Sequence, residues 1–256
     1  PLDCQPFPKA GFPMASAQTD QTLDARNKSI GAFVAEDYRT AAVFERHGID
    51  FCCGGQVTLL AACEGKGLAP ETVLDEIEAT RREPATQSES YSTWELPFLA
   101  DYIVNIHHAW LKENDPIIAG YARKIAQVHG PHHPEVVEIA ALFEKIASDL
   151  AVHLRAEEQV LFPAVKRAAA AKKAGRMPLR EDREVIRASL VQLFREHEEV
   201  GEAVRAIRHL AKDYAIPADV CNTFMVTYQK LKEFEDDLHK HVHLENNILF
   251  LKAAQL

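Results

Sequence analysis

The chain has 256 residues, 47% of them hydrophobic, and a formal net charge of −9 with histidine neutral. That length allows one or two domains. The acidic balance argues against a general nucleic-acid binder, because phosphate affinity comes from clustered Lys and Arg. No run of about 18 apolar residues occurs, so no membrane contact is expected.

Residues 1–27 read as a proline-bearing tail. No basic segment followed by an apolar stretch opens it, so no secretory signal is read. The five cysteines, Cys4, Cys52, Cys53, Cys63 and Cys221, are odd in number and form no CxxC pair. That is not a disulfide framework, and the expected setting is a reducing cytoplasm.

Residues 28–83 read as a small helical domain. Ile30, Phe33 and Val34 mark a first helix, and Thr40 to His47 a second, closed by Gly48. Ile49 to Gly55, IDFCCGG, is too glycine-rich for a helix and is expected to be a loop. Leu59 to Cys63 mark a third helix, ending at Gly65 and Gly67. Pro70 suits the first turn of a fourth, with Val73, Leu74 and Ile77 inward. Residues 84–92 are polar, lack an apolar period and read as a linker. Ser92 to Glu95 fits a capping box.

Residues 93–256 carry four long helical patterns, Thr93 to Val128, Pro134 to Lys173, Arg180 to Tyr214 and Ala218 to Leu251. Pro163 is expected to kink or break the second. Long helices joined by short connections predict an all-α fold with an antiparallel four-helix bundle.

The chemistry lies in a spacing. His153 and Glu157 are four apart, as are His241 and Glu245, so each pair shares a helix face. Phe143, Ile146 and Leu150 lead by threes and fours to His153, and Leu231, Phe234 and Leu238 to His241; both faces therefore point at the core. A buried charge costs several kcal/mol unless paired, so two such interruptions suggest one shared ligand. From His108 the intervals to His153, His197 and His241 are 45, 44 and 44 residues, which in an up-down-up-down bundle places one histidine per helix at similar height. His107 rivals His108, and periodicity alone does not choose. Imidazole suits Fe, Zn, Cu or Ni, while carboxylates can bridge two cations; the set would make a di-iron centre. His239 and His243 read as surface residues, Glu158 as a solvated charge, and Cys63 and Cys221 as structural.

At these residues the chain resembles the iron–sulfur cluster repair di-iron proteins, or repair-of-iron-centres family. The likeness runs from about Lys28 to Leu251 through GIDFCCGG at 48–55, VHGPHHPEV at 128–136, HLRAEEQVLFP at 153–163, REHEEVGE at 195–202 and HVHLENNILF at 241–250. It implies a haemerythrin-like bundle with two irons (a non-haem di-iron centre). The implied ligands are His108, His153, His197 and His241, with Glu157 and Glu245 bridging and His129 as a further ligand; His133 would support them from outside. Oxygen-carrying haemerythrins have a second histidine four residues after the third-helix one, where this chain has Gly201. Either His129 fills that place or one iron keeps an open position.

The resemblance also implies the function: repair of iron–sulfur clusters damaged by nitric oxide or oxidants, with iron supplied from a labile site. Nitric oxide binding or reduction at the same metals is the alternative, and oxygen binding a lesser one. Expected partners are damaged iron–sulfur proteins, nitric oxide or oxygen as small ligand, and a second copy of the chain in a homodimer, since small domains need extra burial. No catalytic residue is assigned. Cys52 and Cys53 are expected to be exposed thiols serving redox chemistry, metal handling or partner contact.

Overall fold

A computed structural model describes residues 25–83 and 91–256. The expected tail up to residue 24 and the linker at 84–90 lie outside them.

After helical residues 25–27, the described N-terminal part has four short helices. The first, α1 (Ile30–Glu36), opens at Ser29, whose hydroxyl accepts the Ala32 N–H and so satisfies a donor of the first turn. A 3₁₀ turn at Tyr38–Thr40 leads into α2 (Ala41–Arg46). Behind it Gly48 takes φ +63°, and the Ile49 N–H returns to the Phe44 carbonyl at 2.9 Å. This closure needs a left-handed residue, which glycine supplies without steric cost. Thr58 caps α3 (Leu59–Lys66), and Pro70 opens α4 (Pro70–Arg82). The cysteine loop runs between α2 and α3. It is tied to the start of α1 by Gly31 N–H to Gly55 O at 2.7 Å and Ile30 N–H to Val57 O at 2.9 Å.

Four long helices form the bundle. Helix α5 comprises Leu96–Ile103, a π turn at Val104–His108, and Ala109–His129. Helix α6 comprises Glu135–Ala156, a π turn at Glu157–Leu161, and Phe162–Lys173. Helix α7 (Arg180–Leu210) has no such interruption. Helix α8 comprises Asn222–Leu244, a π turn at Glu245–Leu249, and Phe250–Ala253. Helix α5 packs on α6 and α8, and α7 on α6. Among the described residues there is no strand beyond one bridge between Ser29 and Thr58, and no helix is long and apolar enough to cross a membrane.

The apolar interior falls into two clusters. One joins Phe33, Phe44 and Phe51 of the N-terminal part to Leu111, Phe143, Val204 and Phe234. The other gathers Leu99, Leu161, Phe162, Leu190 and Phe250. In every bundle helix the residues between the two sets are the histidines and glutamates of the spacing pattern. A charged layer therefore divides the core. The N-terminal part docks beside it: Phe51 lies against His239 and His243, and Asn247 Nδ2 donates to the Phe51 carbonyl at 3.0 Å.

Three expectations change. No capping box forms at Ser92 to Glu95; a 3₁₀ turn at Tyr91–Thr93 buries Tyr91 among Tyr38, Trp94 and Tyr102, and the helix starts at Leu96. Pro163 does not end its helix but lies in the first turn of the α-helical segment that follows an interruption. The π turn just before it loosens the ladder that a residue without an N–H would otherwise break. His243 is buried rather than exposed, because the docked loop covers that face of α8; burial pulls its pKa down to about 3.

Candidate metal centre

The π turns are where the chemistry sits. A π turn adds one residue to a turn, shifting by about 100° the phase of every later residue. In α6 and α8 it begins at the glutamate of the His-x-x-x-Glu pair, and in α5 it ends at His108. The shift lets each helix point a polar residue inward and then resume its apolar stripe.

Six side chains meet in the layer. His108 and His241 face each other with Nε2 atoms 3.2 Å apart, and His153 and His197 at 3.0 Å. The two carboxylates serve both pairs. Glu157 Oε2 lies 3.4 Å from His108 Nε2 and 3.5 Å from His153 Nε2. Glu245 turns Oε1 to His241 at 3.1 Å and to His108 at 3.7 Å, and Oε2 to His197 at 3.3 Å. His108, His241, Glu157 and Glu245 thus form one group with metal-ligand geometry, and His153, His197, Glu157 and Glu245 a second. Both glutamates are wholly buried.

Three of the four outer ring nitrogens are held from outside, while His241 Nδ1 is buried without a hydrogen-bond partner. His108 Nδ1 meets Glu158 at 2.8 Å, His153 Nδ1 meets Glu196 at 2.7 Å and His197 Nδ1 meets Asn246 Oδ1 at 2.8 Å. An acceptor at Nδ1 keeps the proton there and presents the Nε2 lone pair inward. Lone pairs converge on four carboxylate oxygens that have no hydrogen-bond partner, so positive charge must be supplied. Without metal, protons supply it. Burial opposes charge on His108 and His197, but the adjacent Glu157 and Glu245 outweigh it and hold their pKa values up at about 10 and about 9. Burial, then repulsion by Glu245, raises the pKa of Glu157, whereas the histidines around Glu245 hold it well below the carboxylate range. Burial pulls His241 down to about 4. The donor set fits two cations sharing two carboxylates.

Of the residues expected at the site, His108, His153, Glu157, His197, His241 and Glu245 come together. His129 does not. It ends the helix segment after His108, about 30 Å along the axis, where its Nε2 lies 3.1 Å from Cys221 Sγ. His107 points away from the group, to Asp237 at 2.9 Å, and its ring lies nearly parallel to that of His241. Glu158 is not merely solvated, since it holds His108; together with Glu196 and Asn246 it is hidden in the sequence among other polar neighbours of the ligands.

The cysteines also depart from expectation. Cys52 is buried and Cys53 half-buried, because their loop lies against the bundle. Cys53 Sγ is 3.2 Å from the His197 carbonyl and 3.0 Å from where a Cβ at position 201 would stand. The missing third-helix histidine is thus replaced by room for a sulfur. Cys221 is exposed, not packed, and His129 pulls its thiol down to about 7.

A cavity of about 310 Å³ between α6 and α7, lined in part by Leu150, His153, Glu196 and His197, reaches the second group from solvent.

Fold and site define a cation-binding bundle of the hemerythrin class. Residues 100–253 match the hemerythrin HHE cation binding domain, and residues 26–81 match ScdA_N, a domain of unknown function (DUF542). The iron-sulfur cluster repair protein YtfE of Yersinia pestis (strain Pestoides F) is 32% identical over 233 residues, covering 91% of this chain and 99% of that protein; YtfE of Yersinia pseudotuberculosis (strain IP 31758) matches equally. The iron-sulfur cluster repair protein ScdA of Staphylococcus haemolyticus is 30% identical over 232 residues, 89% of this chain and 99% of its own. The chain belongs to this family of ScdA and YtfE iron-sulfur cluster repair proteins.

Proposed function

We propose that the protein restores damaged iron–sulfur clusters by supplying iron from a di-iron centre held by His108, His241, His153 and His197 and bridged by Glu157 and Glu245. The observation that carries this reading is the pair of His–Glu groups sharing both carboxylates. Two irons there would supply ligand exchange and electron transfer. The chain's own residues set which position exchanges. His108 and His241 are sealed, whereas His153 and His197 line the cavity between α6 and α7. The second position is therefore the one from which iron leaves. Glu196, on His153 Nδ1, faces the same cavity and holds the imidazole while its metal side empties.

The partners in this reading are iron–sulfur proteins damaged by nitric oxide or oxidants, met in a reducing cytoplasm. A homodimer is the working assembly, which light scattering on the purified chain decides. The test of supply is to mix the iron-loaded protein with a nitric-oxide-damaged cluster enzyme; recovery above an equal dose of free iron is expected, and none above it would overturn the proposal. A second reading, nitric oxide binding, draws on the same cavity. Steady nitric oxide consumption with a reductant would favour it over supply.

A further inference from the structure

The sulfurs of Cys52 and Cys53 face each other at 3.8 Å across the docked loop. Two thiolates on one tetrahedral metal, with bonds of about 2.3 Å, stand about 3.8 Å apart. Two oxygens adjoin them: Asp50 Oδ1, 3.3 Å from Cys52 Sγ, and the His197 carbonyl, 3.2 Å from Cys53 Sγ. These separations suit the edges of a small coordination tetrahedron. Asp50, Cys52 and Cys53 form a group with metal-ligand geometry separate from the two in the bundle.

The loop is built to hold this arrangement. Asp50 Oδ1 accepts the N–H groups of Cys52 at 3.1 Å and Cys53 at 2.9 Å, while Arg205 fixes Oδ2 at 2.8 Å. Gly201 leaves the room that Cys53 needs. Asn246 Nδ2 holds the Cys52 carbonyl at 3.3 Å. A cavity of about 180 Å³, lined by Asp50, Cys52, Arg205 and His239 among others, opens on the loop. Both side chains adjoin the apolar core, yet each sulfur also has an oxygen within 3.3 Å, and Cys52 lines the cavity.

The geometry points to a further, mononuclear cation site made by Cys52 Sγ, Cys53 Sγ, Asp50 Oδ1 and the His197 carbonyl, taking one borderline-soft divalent ion such as Zn²⁺ or Fe²⁺. Binding displaces the two thiol protons to solvent and changes no oxidation state. Thiolates select such ions over Mg²⁺ or Ca²⁺. His197 belongs to both sites, by Nε2 within the bundle and by its carbonyl at the loop. The site's role, as the first holding place for iron that leaves the bundle, rests on the function proposed above; the site itself does not.

Cobalt(II) is the probe. Iron per chain is measured first; Co²⁺ is then titrated into the iron-treated full chain and into a Glu157→Gln/Glu245→Gln chain. The expected result in both is one cobalt per chain with sulfur-to-cobalt charge-transfer absorption and about two protons released. Cys52→Ser/Cys53→Ser abolishes the band with helix content unchanged. Asp50→Asn removes the carboxylate's charge, so it keeps the sulfur band and weakens cobalt binding. Cobalt bound without the band, or the band surviving in Cys52→Ser/Cys53→Ser, overturns the site. A band in a chain that takes no iron keeps the site and overturns the di-iron reading; iron uptake without a band does the reverse.

Discussion

Asn246 does two jobs, and its neighbour Asn247 shares only the second, the hold on the Cys52 carbonyl. Its Oδ1 accepts from His197 Nδ1 at 2.8 Å, and its Nδ2 donates to the Cys52 carbonyl at 3.3 Å. Asn246→Ala removes the group that fixes the His197 tautomer and frees the ring to turn. Loss of such an outer partner costs 10- to 100-fold in metal affinity, about 1.4–2.8 kcal/mol. The lost loop bond adds about 1 kcal/mol against docking. Asn247 touches Phe51, Cys52, Gln56 and His243 but none of the six clustered side chains. Asn247→Ala should therefore loosen the loop, raising the alkylation rate of Cys53, and leave metal affinity within about twofold. The assay is competition with a chelator of known affinity, run beside thiol alkylation on both variants. An Asn246→Ala chain that keeps its fold and full metal affinity would refute the reasoning that Asn246 orients His197.

Other expectations rest on the same structure. In the metal-free protein the stabilisation from His108 and His197, raised to about 10 and about 9, is complete below about pH 6.5 and is lost as pH rises through those values. Metal must displace these protons, so calorimetry across buffers should show proton release on binding and an affinity that falls as pH falls. Burial and, more weakly, Asp237 raise Asp115 to about 7. Its ionisation therefore costs stability as pH rises from about 4 to 7, by at most about 4 kcal/mol at about 1.4 kcal/mol per unit. Asp115→Asn should raise the melting temperature above pH 7 and flatten its pH dependence; an unchanged pH profile would contradict this. At pH 7, Cys221 should be alkylated before the other described cysteines, and His129→Ala should slow it about tenfold as its thiolate fraction falls. Phe143 packs edge-on against Phe234 at 5.0 Å; Phe143→Ala should cost about 3–5 kcal/mol in denaturant titration.

The two His-x-x-x-Glu pairs are legible because a charge on an apolar stripe is costly enough to need a reason, and His197 comes from the equal intervals. The choice between His107 and His108 is not, since a π turn moves the phase by a residue and periodicity assumes a uniform helix. His129 looks like a ligand through its motif, yet its place at the end of a long rod carries it out of reach. The burial of Cys52 and His243 depends on one surface docking on another, which no local pattern reports. Glu158, Glu196 and Asn246 sit beside the clustered residues, but adjacency along a helix does not say which neighbour reaches an imidazole on another.

Gly201 gives the architecture an exclusive choice. A Cβ there would stand 3.0 Å from the Cys53 sulfur, so a side chain at 201 makes the loop give by a few tenths of an ångström. Completing the centre from within, as an oxygen carrier does, and completing its flank with a neighbouring domain thus compete for one space. A chain of this design gains a side chain at 201 only by shifting the cysteine loop of its N-terminal part.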